Sequence, residues 1–175
     1  DYAPKRHDRL VSFDGLDGYE EIERYWVDAP FAFVSINYNP EETEHLYHVV
    51  EPQLTEFEQE LLDRLFEDIR GPLLYRETIA ENPEAALREE LTDRLEEYGV
   101  TITDETFYRL LYYLHRSFQG YGKLDPLMYD PHIEDISCDG PGVPVFVYHD
   151  DYTDIETTVR YERDELADFV IQLAQ

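Results

Sequence analysis

The fold of this chain is decided by residues 118–137, which read FQGYGKLDPLMYDPHIEDIS. Upstream of Gly122, apolar residues recur every three to four positions, which is the helical period. Downstream of it, short apolar runs are separated by Gly, Pro and Asp, as in strands joined by turns. This change of period predicts an α+β chain in two parts. Residues 1–120 form a helical bundle preceded by a β-hairpin, and residues 121–175 form a small mixed α/β subdomain.

Three amphipathic helices are predicted in the first part. The first covers residues 54–69, where Leu and Phe recur at helical spacing. Thr55 and Glu58 fit a capping box at its start, and Gly71-Pro72 is expected to end it. Two further helices are predicted over residues 82–99 and 103–120. The short connections between these helices favour a compact bundle.

Strands are predicted on both sides of the helices. Residues 1–20 are expected to form a loosely packed lead-in, and residues 20–27 a short helix. The predicted strands cover residues 31–38, 44–50, 133–138, 143–149 and 155–161. A last helix is predicted over residues 164–173. Because the sequence stops at Gln175 with no cap for that helix, we expect a domain of a longer protein, cut before its next domain.

The chain is strongly acidic. Forty-one acidic residues oppose fourteen basic ones, of which only Lys5 and Lys123 are lysines, and the net charge is -27. Self-repulsion at this charge destabilises a compact chain, and salt screens it. The composition therefore predicts adaptation to a cytoplasm of molar salt. It disfavours nucleic-acid binding, which depends on Lys and Arg at phosphates. Mimicry of nucleic acid and binding of cations stay open as alternatives.

No catalytic, cofactor-binding or metal-binding residue is assigned from the sequence. Residues 120–124 contain a Gly-Lys pair but lack the other glycine and the hydroxyl residue of a phosphate loop. The acidic turn of Asp150, Asp151 and Asp154 lacks the spacing of a calcium loop. Cys138 ends an apolar run and is predicted to be a small core residue. Structural or surface roles are assigned to the histidines: His7, His45, His48, His115, His132 and His149.

Nothing in the sequence predicts a membrane span or export. No stretch approaches the roughly 20 apolar residues of a transmembrane helix. No signal-peptide pattern opens the chain. We therefore expect a cytoplasmic protein, peripheral to the membrane, whose contact with the membrane goes through a partner.

A family pattern is visible in several segments. Residues 118–127, 130–136 and 139–141 resemble the segment G-x-G-x-L-x-P-L-x-x-D-P-x-I-E-D-I…G-P of the type II/IV secretion superfamily ATPases. Their archaeal branch is resembled specifically by further pieces at residues 25–27, 30–34 and 46–52. The resemblance extends over nearly the whole chain, and it is carried by the pieces together.

The resemblance implies an N-terminal regulatory and assembly domain of a hexameric ATPase that drives archaellum or type IV pilus assembly. The implied partners are its own motor domain, neighbouring subunits of the hexamer and a polytopic membrane platform protein. We expect it neither to bind nucleic acid nor to insert directly into the membrane. ATP and Mg would bind the RecA-like motor domain, whose Walker A, acidic and His boxes are absent from this sequence. We therefore expect no cofactor and no enzymatic activity of the chain itself.

Two alternatives to this function stay open. One is a free-standing acidic halophilic binding protein, such as a nucleic-acid mimic. The other is an enzyme that uses scattered carboxylates and a cation.

Overall fold

The chain forms two units, each with its own hydrophobic core. The structure, a computed structural model, describes residues 2–3, 9–79 and 82–174. A helical unit consists of the residues up to Leu10 and Pro52–Gly122, and a sheet unit consists of Val11–Glu51 and the residues from Lys123 onward. The α+β class is confirmed. Lys5, His7 and part of the predicted lead-in lie outside the described residues.

Within the described residues, a six-stranded mixed sheet forms the sheet unit. Its strands are β1 (Glu20–Asp28), β2 (Ala32–Asn39), β3 (Glu44–Val50), β4 (Ile133–Ser137), β5 (Phe146–His149) and β6 (Thr153–Thr157). They lie in the order β1-β2-β3-β6-β5-β4, and only the β3–β6 pair is parallel. This pair sets Leu46 opposite Glu156 and Tyr47 opposite Thr157. The upstream strands thus share one sheet with the C-terminal strands, whereas the change of period in the sequence places them in one part with the helices.

Residues 20–27, predicted as a helix, form strand β1 instead. Tyr25 and Val27 pack against the core of the sheet unit. Arg24 and Trp26 lie on the other face, beside the ring of Phe33. Such alternation is the period of a strand. The helical prediction was wrong because this short run fits either period, and the antiparallel ladder with β2 decides between them.

The helical unit is built from α1 (Glu56–Ile79), α2 (Pro83–Tyr98) and α3 (Asp104–Phe118). The predicted capping box is confirmed: the Thr55 N–H donates to Glu58 Oε1 at 3.0 Å, and the Glu58 N–H donates to Thr55 Oγ1 at 3.2 Å. Asn82 caps the start of α2, and Gly99, with φ +67°, ends it in the left-handed conformation. Apolar residues of all three helices form the core: Leu61, Leu65, Ile69, Leu73, Leu87, Leu91, Leu95, Leu110 and Leu114.

Helix α1 continues through Gly71-Pro72, where the sequence predicts its end. A proline inside a helix removes one hydrogen bond and costs about 3 kcal/mol. Contacts made by the last two turns offset this cost. Leu73 is buried in the core, and Arg76 Nε lies 2.6 Å from Oε2 of the buried Glu90 of α2. The prediction was wrong because local propensity is overridden by tertiary contacts.

One face of the sheet packs against two helices, α4 (Asp125–Met128) and α5 (Arg163–Leu173). The second of these is the predicted final helix. Leu127, Leu166 and Phe169 contribute their side chains to this core. The strand residues buried there include Val34, Ile36, Tyr47, Val147 and Ile155.

Two expectations about single segments are corrected by burial. Val11 is buried and packs with Phe13 against Phe33 and Val50 on the other face of the sheet, so this part of the predicted lead-in is not loosely packed. Cys138 is exposed, because it follows the end of β4. The predicted core role of this cysteine was therefore wrong.

Candidate functional site

A buried carboxylate, that of Asp130, is the polar centre of the sheet unit. Asp130 is 4% exposed and lies in the turn between α4 and β4, within the segment that resembles the secretion ATPases. Tyr25 of β1 and Tyr47 of β3 contact it from the sheet, and His149 of β5 contacts Tyr25. Alternation along each strand places these side chains on the core face. We call these four residues the Asp130 network.

Three donors are directed at Asp130. The hydroxyls of Tyr25 and Tyr47 each donate to Oδ2 at 2.6 Å. The backbone N–H of His132 donates to Oδ1 at 2.8 Å, which closes a turn around Pro131. Hydrogen bonds to an ionised acceptor are shorter and stronger than those between neutral groups. They compensate the carboxylate for the water that it loses on burial.

His149 extends the network by one more hydrogen bond. The N–H of Asp151 donates to His149 Nδ1 at 3.0 Å, and we therefore assign the proton of the neutral ring to Nε2. Nε2 then donates to the hydroxyl oxygen of Tyr25 at 3.0 Å. Hydrogen-bond donation thus runs in one direction, from His149 to Tyr25 and from Tyr25 to Asp130. The ring of His149 also stacks on that of His132, with centroids 5.6 Å apart.

Both tyrosines of the network keep their protons. Burial raises the pKa of Tyr25 and that of Tyr47 well above the ordinary value, and the negative charge of Asp130 raises both further. Both hydroxyls therefore remain donors around neutral pH. Because the carboxylate is already hydrogen-bonded on both oxygens and is almost fully buried, it is poorly placed to act as a general base on a substrate. The arrangement is suited to fixing β1, β3 and β5 relative to the turn before β4.

The Gly-Lys pair of residues 120–124 has a structural role. Gly122 begins a short 3-10 turn with φ +58°, which favours glycine. The Nζ of Lys123 lies 2.6 Å from Glu165 Oε2, donates to the carbonyl of Arg160 at 3.0 Å and lies over the ring of Tyr161. The lysine is therefore engaged within the sheet unit.

The side chains of the described histidines other than His149 each have their own set of partners. His48 packs against the ring of Phe13, and burial lowers its pKa. His45 packs between the rings of Tyr38 and Tyr152. His115 Nδ1 is 2.9 Å from Gln119 Oε1, and His132 Nδ1 is 3.3 Å from Asp150 Oδ2. No group of three or more His, Cys, Asp or Glu side chains in the described ranges could hold a metal ion.

The Asp130 network is not predicted from the sequence. Each histidine receives a structural or surface role on its own there, and Tyr25, Tyr47 and Asp130 receive no special role. One signal was available: in the predicted strand of residues 143–149, His149 alternates in phase with the apolar residues Val145 and Val147, which indicates a histidine on the core face.

Comparison with known proteins supports the family resemblance over part of the chain. Residues 1–53 match the family model described as PilB3-like, N-terminal. This match supports an N-terminal domain related to type IV pilus and secretion ATPases. Its residues include β1, β2 and β3, and hence both tyrosines of the Asp130 network.

A relative matches most of the sequence. The chain is 36% identical over 164 residues to an uncharacterized protein of Methanocaldococcus jannaschii. The alignment covers 90% of this chain and 65% of the relative, so the chain spans about two thirds of the length of the protein that it matches. None of the helices in the described ranges is both long and apolar enough to cross a membrane.

Proposed function

We propose that this chain is the N-terminal regulatory and assembly domain of a hexameric secretion-type ATPase that drives archaellum or type IV pilus assembly in a cytoplasm of high salt. In this role it has no catalytic activity of its own. It couples the movement of a motor domain to a polytopic membrane platform protein and contacts the neighbouring subunits of the hexamer. The observation that carries the proposal is the PilB3-like match over residues 1–53.

The structure of the sheet unit supports this proposal. The matched residues supply β1, β2 and β3, and the secretion-ATPase-like segment supplies Asp130 and β4. These two parts of the sequence belong to one sheet, in which β6 and β5 lie between β3 and β4. The hydrogen bonds from Tyr25 and Tyr47 to Asp130 connect them directly. A unit that transmits force must move as one body, and a fully satisfied buried polar network favours a single rigid arrangement.

The experiment removes the domain from the protein encoded by the complete gene. In cells whose protein lacks the part that corresponds to this chain, we expect surface filaments to be lost, while the purified remainder still hydrolyses ATP. The purified full-length protein is expected to co-purify with a polytopic membrane protein in 2 M KCl, and the shortened protein is not. Normal filament numbers without the domain would contradict the proposal, as would ATP hydrolysis at ordinary turnover by residues 1–175 alone.

The same protein allows a test of the acidic-mimic alternative. A nucleic-acid mimic would displace labelled DNA from a basic DNA-binding protein at equimolar concentration and low salt. We expect no displacement beyond that caused by an unrelated protein of equal net charge.

A further inference from the structure

The outer face of β4, β5 and β6 carries two aromatic rings among carboxylates. Tyr148 of β5 is 41% exposed and stands opposite Asp135 of β4 and Asp154 of β6. Phe146 stands two positions earlier on the same face, opposite Glu156. An open depression of about 380 Å³ on this face is lined by residues that include Glu134, Asp135, Phe146, Tyr148 and Asp154. We call this surface the acidic aromatic patch.

The carboxylates of the patch have no counter-charge within the described part of the chain. Neither Glu134, Asp135, Asp154 nor Glu156 forms an ion pair with a described residue, and no described Lys or Arg lies over the ring of Phe146 or Tyr148. Acidic residues elsewhere are partly neutralised, as in α2, where Arg94 pairs with both Glu90 and Glu97. The negative charge of the patch is therefore open to a cation supplied by a partner.

At two other places in the chain, an aromatic ring beside a carboxylate holds a cation. The guanidinium of Arg64 lies 4.5 Å from the ring centroid of Tyr98 and 3.6 Å from Asp68. Lys123 lies over Tyr161 at 5.6 Å and is paired with Glu165 at 2.6 Å. In each case a cation is held by the face of a ring and by a carboxylate, which attract it together. Tyr148 with Asp135 and Asp154 offers the same elements without the cation.

The position of β4 adds a second means of binding. Among the strands of the described residues β4 is the last in the sheet order, so only one of its two edges pairs with a described neighbour, β5. The main-chain N–H and C=O groups along a free edge are a template on which an extended segment can add as a further strand. Such a segment would run beside the patch, and every second side chain would face Tyr148 and its carboxylates.

We propose that the acidic aromatic patch binds an extended, arginine-bearing segment of a protein partner, which adds to the sheet along β4. One arginine stacks on Tyr148 between Asp135 and Asp154, because a planar guanidinium can stack and pair with carboxylates at the same time. Nucleic acid and anionic lipid are disfavoured by the charge of the patch. This inference rests on charge and register alone and does not depend on the proposed function.

The test uses a fluorescein-labelled ten-residue peptide in which Arg and Thr alternate. Binding to residues 1–175 is measured by fluorescence anisotropy in 0.5 M KCl, with an alternating Glu-Thr peptide as the negative probe. We expect Tyr148→Ser to raise the Kd at least tenfold, because the ring is lost while the net charge is unchanged. The matched control is Tyr75→Ser, which removes a ring that is 71% exposed in α1 and is expected to change the Kd less than twofold.

Charge is tested with a second pair of variants. Asp135→Asn with Asp154→Asn removes two charges at the patch and is expected to raise the Kd at least tenfold. Glu41→Gln with Glu42→Gln removes two charges from the exposed β2–β3 turn and is expected to change it less than twofold. Equal weakening by the patch and control variants would overturn the proposal, because the peptide would then be responding only to the net charge.

Addition along β4 is tested by NMR. Titration of ¹⁵N-labelled protein with the Arg-Thr peptide is expected to shift the amide signals of residues 133–137 and to slow their exchange with solvent. Shifts confined to other parts of the chain would overturn the proposal.

Discussion

Replacing Asp130 by alanine is expected to destabilise the sheet unit by about 3–4 kcal/mol. The substitution leaves three donors without their acceptor: the hydroxyls of Tyr25 and Tyr47 and the N–H of His132. The loss of a charged partner by a buried group costs about 1–3 kcal/mol, and Tyr47 is 0% exposed, so water does not reach its hydroxyl without rearrangement. The summed loss is reduced because the variant no longer buries a carboxylate.

Replacing Asp130 by asparagine is expected to destabilise the sheet unit less than replacing it by alanine. In the protein, one oxygen of Asp130 accepts from both tyrosines and the other accepts from a backbone N–H. An amide has a single oxygen, so the side chain in Asp130→Asn accepts either from the two hydroxyls or from the backbone N–H. Its NH₂ group then faces the remaining donor or donors, which have no acceptor. We expect a loss of about 1.5–2 kcal/mol, between wild type and Asp130→Ala.

Urea unfolding in constant 2 M KCl measures these losses. Trp26, the only tryptophan of the sequence, lies in β1 next to Tyr25, and its fluorescence reports on the sheet unit. The matched controls are Asp135→Ala and Asp135→Asn, which change an exposed carboxylate five residues further along the chain. If Asp130→Ala and Asp135→Ala agreed within about 0.5 kcal/mol, the range typical of neutral surface substitutions, the assigned role of the network would be wrong.

Three further predictions concern other parts of the chain. Arg76→Ala is expected to destabilise the helical unit by about 2 kcal/mol. The carboxylate of Glu90, which is 1% exposed, loses its partner at 2.6 Å and, of the described cations, keeps only Arg94 at 3.4 Å. Circular dichroism at 222 nm during urea unfolding measures the loss, with Arg163→Ala at an exposed position as the control, and equal losses in the two variants would contradict the prediction. Burial lowers the pKa of His48 in the folded protein. As the pH falls below about 6.5, the His48 ring is therefore protonated in the unfolded chain before it is protonated in the folded one. The contribution of the neutral His48 ring to stability is therefore fully present above that pH and is lost below it, with a slope of at most about 1.4 kcal/mol per pH unit. His48→Leu is accordingly expected to be more stable relative to wild type at pH 5.5 than at pH 7.5. A pH-independent difference between the two proteins would refute this assignment. Finally, the free energy of unfolding is expected to rise from 0.1 M to 2 M KCl, because salt screens a net charge of -27, and equal urea midpoints at the two concentrations would exclude repulsion as a major destabilising effect.

The helical unit could be predicted from sequence because its signals are local. Leucines at helical spacing, the Thr55–Glu58 capping box and the left-handed Gly99 each lie within the helix that they define or next to it. The exception is Gly71-Pro72, where a local stop signal is overridden by contacts between α1 and α2. Local propensity predicts a helix well only where no tertiary contact opposes it.

The sheet unit could be predicted only in part because its decisive contacts are distant in sequence. Tyr47 and Thr157 pair across the parallel β3–β6 junction, and α1, α2 and α3 all lie between them in the chain. Tyr25 reaches Asp130 across 105 positions. Alternation predicts the single strands, but nothing local in the sequence predicts their order in the sheet. The Asp130 network depends on that order. The strand β1 was missed for the same reason, since its partner β2 determines its conformation.

The scarcity of cations links the charge of the chain to the acidic aromatic patch. Fourteen Lys and Arg residues cannot pair with forty-one carboxylates, so their positions decide which acidic sites are satisfied internally. Arg64 and Lys123 fill two sites in which a ring stands beside a carboxylate. The site at Tyr148 is built in the same way, yet none of the described cations occupies it. In molar salt the repulsion between exposed charges more than about 3 Å apart is largely screened. The contacts of a seated guanidinium are only slightly longer than that, as in the 3.6 Å from Arg64 to Asp68 and the 4.5 Å from Arg64 to the ring of Tyr98. High salt should therefore suppress non-specific binding of basic proteins to this surface more than it suppresses binding of an arginine seated on Tyr148.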